Sequence, residues 1–182
     1  MALWAFVSDI HGNRRGLETA ETEARAAGVD AFACLGDVIG RGDPAACVAW
    51  VRDVAALAIV GNRDLDYLDR VPPDLQDVVR RWPHEAAASD FLASHGDPRC
   101  PAWFFGHTHR ARIWEIGADG ARLVRPEVTI MPGARYVVNV GTAGLPLPGR
   151  GGPSFALYDD ARGTLRLVPQ PSASRRPMAP RG

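Results

Sequence analysis

Leu3-Trp4-Ala5-Phe6-Val7 is a continuously apolar run that stops at the polar pair Ser8-Asp9. Its length and abrupt end suit a strand buried on both faces. Working outward, Leu17, Ala20, Ala24 and Ala27 recur at helical spacing and predict a helix over about 14–27, with Gly28 placed for a left-handed C-terminal cap. A second apolar strand is expected at 31–35. Asp43-Pro44 then supplies an acidic N-cap with proline at the first helical position, and Cys47, Val48, Val51 and Val54 form the inner face of that helix. A strand at 57–60 completes a β-α-β-α-β series, for which parallel pairing with right-handed crossovers is the default. The fold class is therefore α/β.

The rest of the chain reads as a short helix at 75–82 after Pro72-Pro73, then strands at 91–94, 103–105, 111–116, 122–125, 128–131, 136–140, 155–158 and 164–168. Asp119-Gly120 is a hairpin turn candidate. One domain is expected over 1–168. From Pro169 to Gly182 the chain has little to bury and is expected to be a disordered tail.

The 182 residues carry 21 basic side chains against 21 acidic ones, so neither a disordered charged tail nor an obvious polyanion binder fits. Every basic residue is Arg, which excludes a Schiff-base lysine and a P-loop lysine. Three cysteines, Cys34, Cys47 and Cys100, without CxxC spacing argue against a disulfide framework or zinc ribbon and fit reduced structural thiols. No apolar stretch reaches bilayer length and no basic n-region precedes the first strand. A soluble, cytoplasmic protein with no membrane association is therefore expected.

The strands of the first half end in residues that bind metals: Asp9-Ile10-His11, Gly36-Asp37, Gly61-Asn62, His95, and Gly106-His107-Thr108-His109. Carboxyl ends of parallel strands share one edge of an α/β sheet, where ligands collect. A carboxylate such as Asp37 has two oxygens and can bridge two cations about 3.5–4 Å apart. Mixed nitrogen and oxygen ligation without thiolate suits Mn, Fe or Zn rather than calcium or a structural zinc. This assignment uses four of the five histidines and leaves His84 to a surface loop.

Taken together, Ser8-Asp9-Ile10-His11-Gly12-Asn13, Leu35-Gly36-Asp37-Val38-Ile39-Gly40, Val60-Gly61-Asn62-Arg63-Asp64, Ser94-His95-Gly96-Asp97 and Phe105-Gly106-His107-Thr108-His109 resemble the motifs of the calcineurin-like metallophosphoesterase family. Asn139-Val140-Gly141-Thr142-Ala143-Gly144 is similar to the Asn-Pro-Gly-Ser turn of its small bacterial branch. The resemblance implies a four-layer α/β/β/α sandwich of two mixed sheets flanked by helices. It implies two divalent or transition metal ions, Mn first with Fe, Zn or Ni as alternatives. Asp9, His11 and His109 would hold one, Asn62, His95 and His107 the other, with Asp37 between them. The implied reaction is attack of a metal-bridging hydroxide on a small phosphate ester, a nucleotide included, with Asp37, Asn62 and Arg63 in the catalytic set. Nothing marks a nucleic-acid groove, since Trp103, Phe104 and Trp114 read as sheet core.

The sequence departs from the family pattern in two places. Arg63 stands where the family commonly has His after the Asn ligand. Arginine can stabilise an oxyanion but cannot give up a proton near neutral pH, which favours diesters with good leaving groups over alkyl monoesters. Asp64 is expected either to pair with Arg63 or to be an ordinary loop residue. The second departure is the short stretch between strands 91–94 and 103–105, where the family usually inserts a helix. A parallel crossover normally needs a dozen or more residues, which puts His95 and the second metal in question. Arg14, Arg41 and Arg110 could face a substrate phosphate, and the loop 144–153 with Arg150 could rim the pocket. The competing readings are a phosphomonoesterase acting on small molecules or proteins, and a non-catalytic scaffold such as the retromer subunit that resembles this family.

Overall fold

The apolar run Leu3–Val7 forms β1, and it is followed by α1 (Arg14–Ala26), β2 (Ala31–Cys34), α2 (Pro44–Val54) and β3 (Ala55–Ala58). The computed structural model describes residues 2–87, 91–95, 102–117, 120–148 and 152–170. Asn13 caps α1, its side-chain oxygen accepting the Gly16 N–H at 2.9 Å, and Asp43 caps α2 by accepting from Ala46 at 3.0 Å. Leu17, Ala20 and Ala24 are buried as their spacing predicts. The helix stops one turn position early, with Ala27 as an exposed C-cap and Gly28 at φ +80°.

A five-residue helix, α3 (Asn62–Asp66), a 3-10 turn (Leu68–Arg70) and α4 (Pro73–Val79) follow. The remaining strands are β4 (Glu85–Ala87), β5 (Leu92–Ser94), β6 (Ala102–Phe105), β7 (Arg112–Gly117), β8 (Gly120–Leu123), β9 (Glu127–Thr129), β10 (Arg135–Asn139), β11 (Ser154–Asp159) and β12 (Thr164–Pro169). Two mixed six-stranded sheets result, in the orders β3-β2-β1-β11-β12-β9 and β4-β5-β6-β10-β7-β8. The expected parallel series holds, β1 pairing with β2 and β2 with β3. β11 then enters antiparallel on the other side of β1, with Phe6 opposite Ala156.

Helices α1, α2 and α4 cover one face of the first sheet through Leu17, Cys47, Val48, Val51, Leu75 and Val79. Its other face packs on the second sheet. There Phe6 and Phe104 stack at 4.0 Å, with Phe91 edge-on to Phe6 at 4.9 Å, among Ala33, Ile59, Ile113, Val138 and Leu165. Alternation along β6 turns Trp103 and Phe105 to the opposite face, where they stack at 4.6 Å beside Trp114.

Several expectations shift in detail. The third strand is 55–58 rather than 57–60, and Ile59 and Val60 continue beyond it as buried residues. The helix predicted at 75–82 begins at Pro73 and ends at Val79, and the strand predicted at 122–125 is Gly120–Leu123. Neither α3 nor β4 was expected. β5 and β6 do pair in parallel, Leu92 with Trp103 and Ala93 with Phe104, although residues 96–101 of their connection, with Cys100, lie outside the described residues. Asp119 lies outside them too, but β7 and β8 form the expected hairpin with Gly117 opposite Gly120. β12 runs through Pro169 and Gln170 is buried; the tail from 171 lies outside the described residues. Among the described residues no helix is long and apolar enough to cross a membrane.

Candidate metal centre

The turns that leave β1 and β2 are stitched together by backbone hydrogen bonds. Asp9 N–H donates to Gly36 O at 3.1 Å, His11 N–H to Asp37 O at 2.9 Å and Gly12 N–H to Val38 O at 2.8 Å. Asp64 completes the seam. Fully buried, it accepts four backbone N–H groups: Asp37 and Gly61 on one carboxylate oxygen, each at 2.9 Å, and Val38 and Ile39 on the other at 2.7 and 2.8 Å. It therefore neither pairs with Arg63 nor sits as an ordinary loop residue. Burial, with the Asp37 charge adding, pushes its carboxyl up to about 6, and the N–H donors oppose that rise.

From the second sheet, Asn139 Nδ2 donates to Gly106 O at 2.7 Å and Thr142 Oγ1 to Asp9 O at 2.8 Å, so the 139–144 segment fastens the turns after β1 and β6. His107 N–H donates to Asp9 Oδ2 at 2.9 Å. These turns are drawn so close that glycine is needed: a Cβ on Gly61 would overlap Asp37, and one on Gly106 would overlap Ser8 Oγ.

Among the described residues, the non-glycine positions with left-handed backbone are Asp9 (φ 55°), His11 (φ 50°), Asp37 (φ 55°), His107 (φ 67°) and His109 (φ 56°). All five belong to the ligand set expected from the sequence. Strained backbone concentrated on chemistry-bearing residues marks a functional site, because each such position costs of order 1–3 kcal/mol that packing alone has no reason to incur.

The side chains converge in two groups able to hold an ion, Asp9 with His11 and His109, and Asp37 with His95 and His107. His109 Nε2 lies 2.9 Å from Asp9 Oδ1 and 3.3 Å from His11 Nε2. His11 Nε2 is 3.9 Å from Asp37 Oδ2, while His95 Nε2 is 3.7 Å from Asp37 Oδ1, so Asp37 faces both groups. His95 Nδ1 is 2.7 Å from Leu35 O and His109 Nδ1 is 2.8 Å from Leu145 O. A carbonyl only accepts, so each Nδ1 carries the hydrogen and each Nε2 is turned inward, the orientation imposed on metal-binding imidazoles. His95 Nε2 is buried without a hydrogen-bond partner among the described residues. This donor set fits a pair of divalent cations.

Burial favours the neutral form of Asp9, but the hydrogen bond and charge of His109, with the Ser8 hydroxyl, outweigh it and hold the carboxyl below its usual range. His109 is raised despite its burial, because Asp9 both bonds and attracts it. His11 is lowered by burial and by the neighbouring His109, against the pull of Asp9 and Asp37. The 2.9 Å contact between Asp9 and His109 thus calls for positive charge, a proton or a cation.

A cavity of about 950 Å³ opens in front of these groups. Asn62 and Arg63, at the start of α3, line it, as do Arg14, Arg41, Gly144, Leu145 and Leu147; Arg110 does not, and Arg150 lies outside the described residues. Arg63 N–H donates to Asp37 Oδ1 at 2.8 Å, while its exposed guanidinium reaches the Tyr67 hydroxyl at 3.3 Å and Asp66 at 3.9 Å. The exposed His84 lines a second hollow of about 620 Å³ beside Asn62 and His95. Sequence reasoning missed Tyr67 and Arg70 here and misjudged the role of Asp64. The signal for two of them was the spacing of Arg63, Tyr67 and Arg70, which puts them on one helical face.

The profile of the calcineurin-like phosphoesterase superfamily domain matches residues 2–162. An uncharacterised protein of Methanocaldococcus jannaschii, MJ0912, is 24% identical over 217 residues, covering 90% of this chain and 85% of its own. The crystal structure of a metallophosphoesterase from Sphaerobacter thermophilus superimposes with a TM-score of 0.79 at 21% identity, covering 91% of this chain and 87% of that one. An archaeal phosphodiesterase does so with a TM-score of 0.60 at 18% identity, covering 91% and 98%. With its motifs meeting at one edge of two sheets, the chain belongs to the calcineurin-like phosphoesterase superfamily, metal-dependent hydrolases of phosphoester bonds.

Proposed function

We propose that this protein hydrolyses phosphodiesters with two divalent cations, Mn first among them, held by Asp9, His11 and His109 on one side, by Asn62, His95 and His107 on the other, and by Asp37 between. The carrying observation is the double approach to Asp37, from His11 on Oδ2 and from His95 on Oδ1. When bound, such a pair lowers the pKa of water and neutralises phosphate oxygens. The chain's own part is positioning: Asp64 and the 139–144 segment fix the ligand turns, and Leu35 O and Leu145 O orient two imidazoles. Arg63 is tethered through its backbone to Asp37, so its guanidinium can stabilise charge on a departing oxygen without supplying a proton. That supports esters whose leaving groups need no general acid, and one structural neighbour is an archaeal phosphodiesterase. The buried thiols Cys34 and Cys47 are in keeping with a cytoplasmic setting. The five strained ligand positions weigh against the scaffold reading, since a fold relieved of catalysis gains stability by relaxing them.

The test compares bis(p-nitrophenyl) phosphate with p-nitrophenyl phosphate at saturating Mn, with Asp37→Asn as control. Faster hydrolysis of the diester, lost in the variant, is expected. A clear preference for the monoester would overturn the diesterase assignment. Equal inertness of wild type and variant under Mn, Fe, Ni and Zn would favour the scaffold.

A further inference from the structure

The cavity in front of the centre is larger than one phosphate requires, since about 950 Å³ lies near the upper end of the range, roughly 300–1,000 Å³, for small-molecule sites. Four arginines, Arg14, Arg41, Arg63 and Arg70, line it, and they are not equivalent. Arg14 is held by Glu18 at 2.7 Å and Arg63 approaches Asp66 at 3.9 Å. Arg41 and Arg70 have no carboxylate within ion-pair distance among the described residues. Arg70 is nonetheless fixed in place. Its guanidinium carbon lies 4.0 Å above the Tyr67 ring, and Nη1 donates to Gly40 O at 3.4 Å, beside Arg41. A guanidinium stacked on an aromatic ring and tied at one nitrogen keeps its remaining N–H donors for a ligand, and loses little freedom when one binds. Arginine stays charged at any working pH, so the anchored Arg70, with Arg41 lining the same cavity next to Gly40, offers a standing anion site.

We infer that Arg41 and Arg70 bind a second phosphoryl group of the substrate while the first lies at the metal centre, so that ligands with two linked phosphoryl groups are preferred over those with one. This specificity rests on the phosphoesterase reading for the first phosphoryl, but the subsite is measurable without turnover. The probes are AMP and the α,β-methylene analogue of ADP, which resists hydrolysis, titrated calorimetrically into the Mn-loaded full-length protein at fixed Mn and ionic strength.

The analogue is expected to bind about tenfold more tightly than AMP, the scale of one charge-assisted bidentate contact. Arg70→Gln and Arg41→Gln should each shrink that ratio and the double variant should erase it. Arg110→Gln, which removes the same charge outside the cavity, should preserve it. Equal binding of the two nucleotides by the wild type, or a ratio unmoved in the double variant, would overturn the proposal. A protein that hydrolyses no ester but still selects the analogue would overturn the hydrolase reading and leave the subsite standing.

Discussion

The carboxylate of Asp64 accepts N–H groups from two turns, so asparagine in its place would set a donor against two backbone donors. Each N–H left unsatisfied in the interior costs about 1–3 kcal/mol. Asp64→Asn is expected to lower the unfolding free energy by roughly 2–4 kcal/mol in urea titrations and to weaken Mn binding with it. Asp66→Asn, at the surface of the same short helix, should move stability by less than about 0.5 kcal/mol. Asp9, His11, Asp37, His95, His107 and His109 were legible in the sequence because each ends an apolar run at a motif. Asp64 was not legible, because an acid beside Arg63 suggests an ion pair, and only the folded turns reveal that backbone amides claim it. Tyr67 and Arg70 were overlooked for a different reason: their spacing from Arg63 was there to be read, but the five-residue helix and 3-10 turn that carry it have no apolar period to announce a helix.

The strands carry the centre only as well as the two sheets hold together, and the parallel stack of Phe6 on Phe104 lies at the middle of that contact. Phe104→Ala should cost about 3–5 kcal/mol, the usual penalty for emptying a buried aromatic site, readable as a lowered denaturation midpoint with an unchanged m-value. Trp114→Ala, on the half-buried outer face, should cost less. The strong apolar runs and the capped helices were predicted within a few residues. β4 escaped because Glu85-Ala86-Ala87 has neither β-branched nor aromatic residues, and it exists by pairing antiparallel with β5 at a sheet edge. α3 escaped because five residues show too little of a 3.6-residue period. The insertion of β11 beside β1 joins residues 150 or more positions apart, and no local pattern announces such a partner.

Each candidate metal group draws on both sheets: Asp9, His11 and Asp37 follow strands of the first, and His95, His107 and His109 follow strands of the second. Bound ions would therefore clamp the sandwich along one edge. At a hundredfold excess over its dissociation constant a ligand adds about 2.7 kcal/mol. For a domain of this size that corresponds to a rise in Tm of roughly 5–10 °C per site. Thermal unfolding should show such a rise with Mn, reversed by EDTA and absent in a His95→Ala, His109→Ala double variant. The division between sheets also orders events in time. A chain emerging from the ribosome presents Asp9, His11 and Asp37 long before their imidazole partners, 58 or more residues after Asp37, have been made. Neither triad is complete until His107 and His109 have been made, so ions held there would follow the strands of both sheets rather than seed the first.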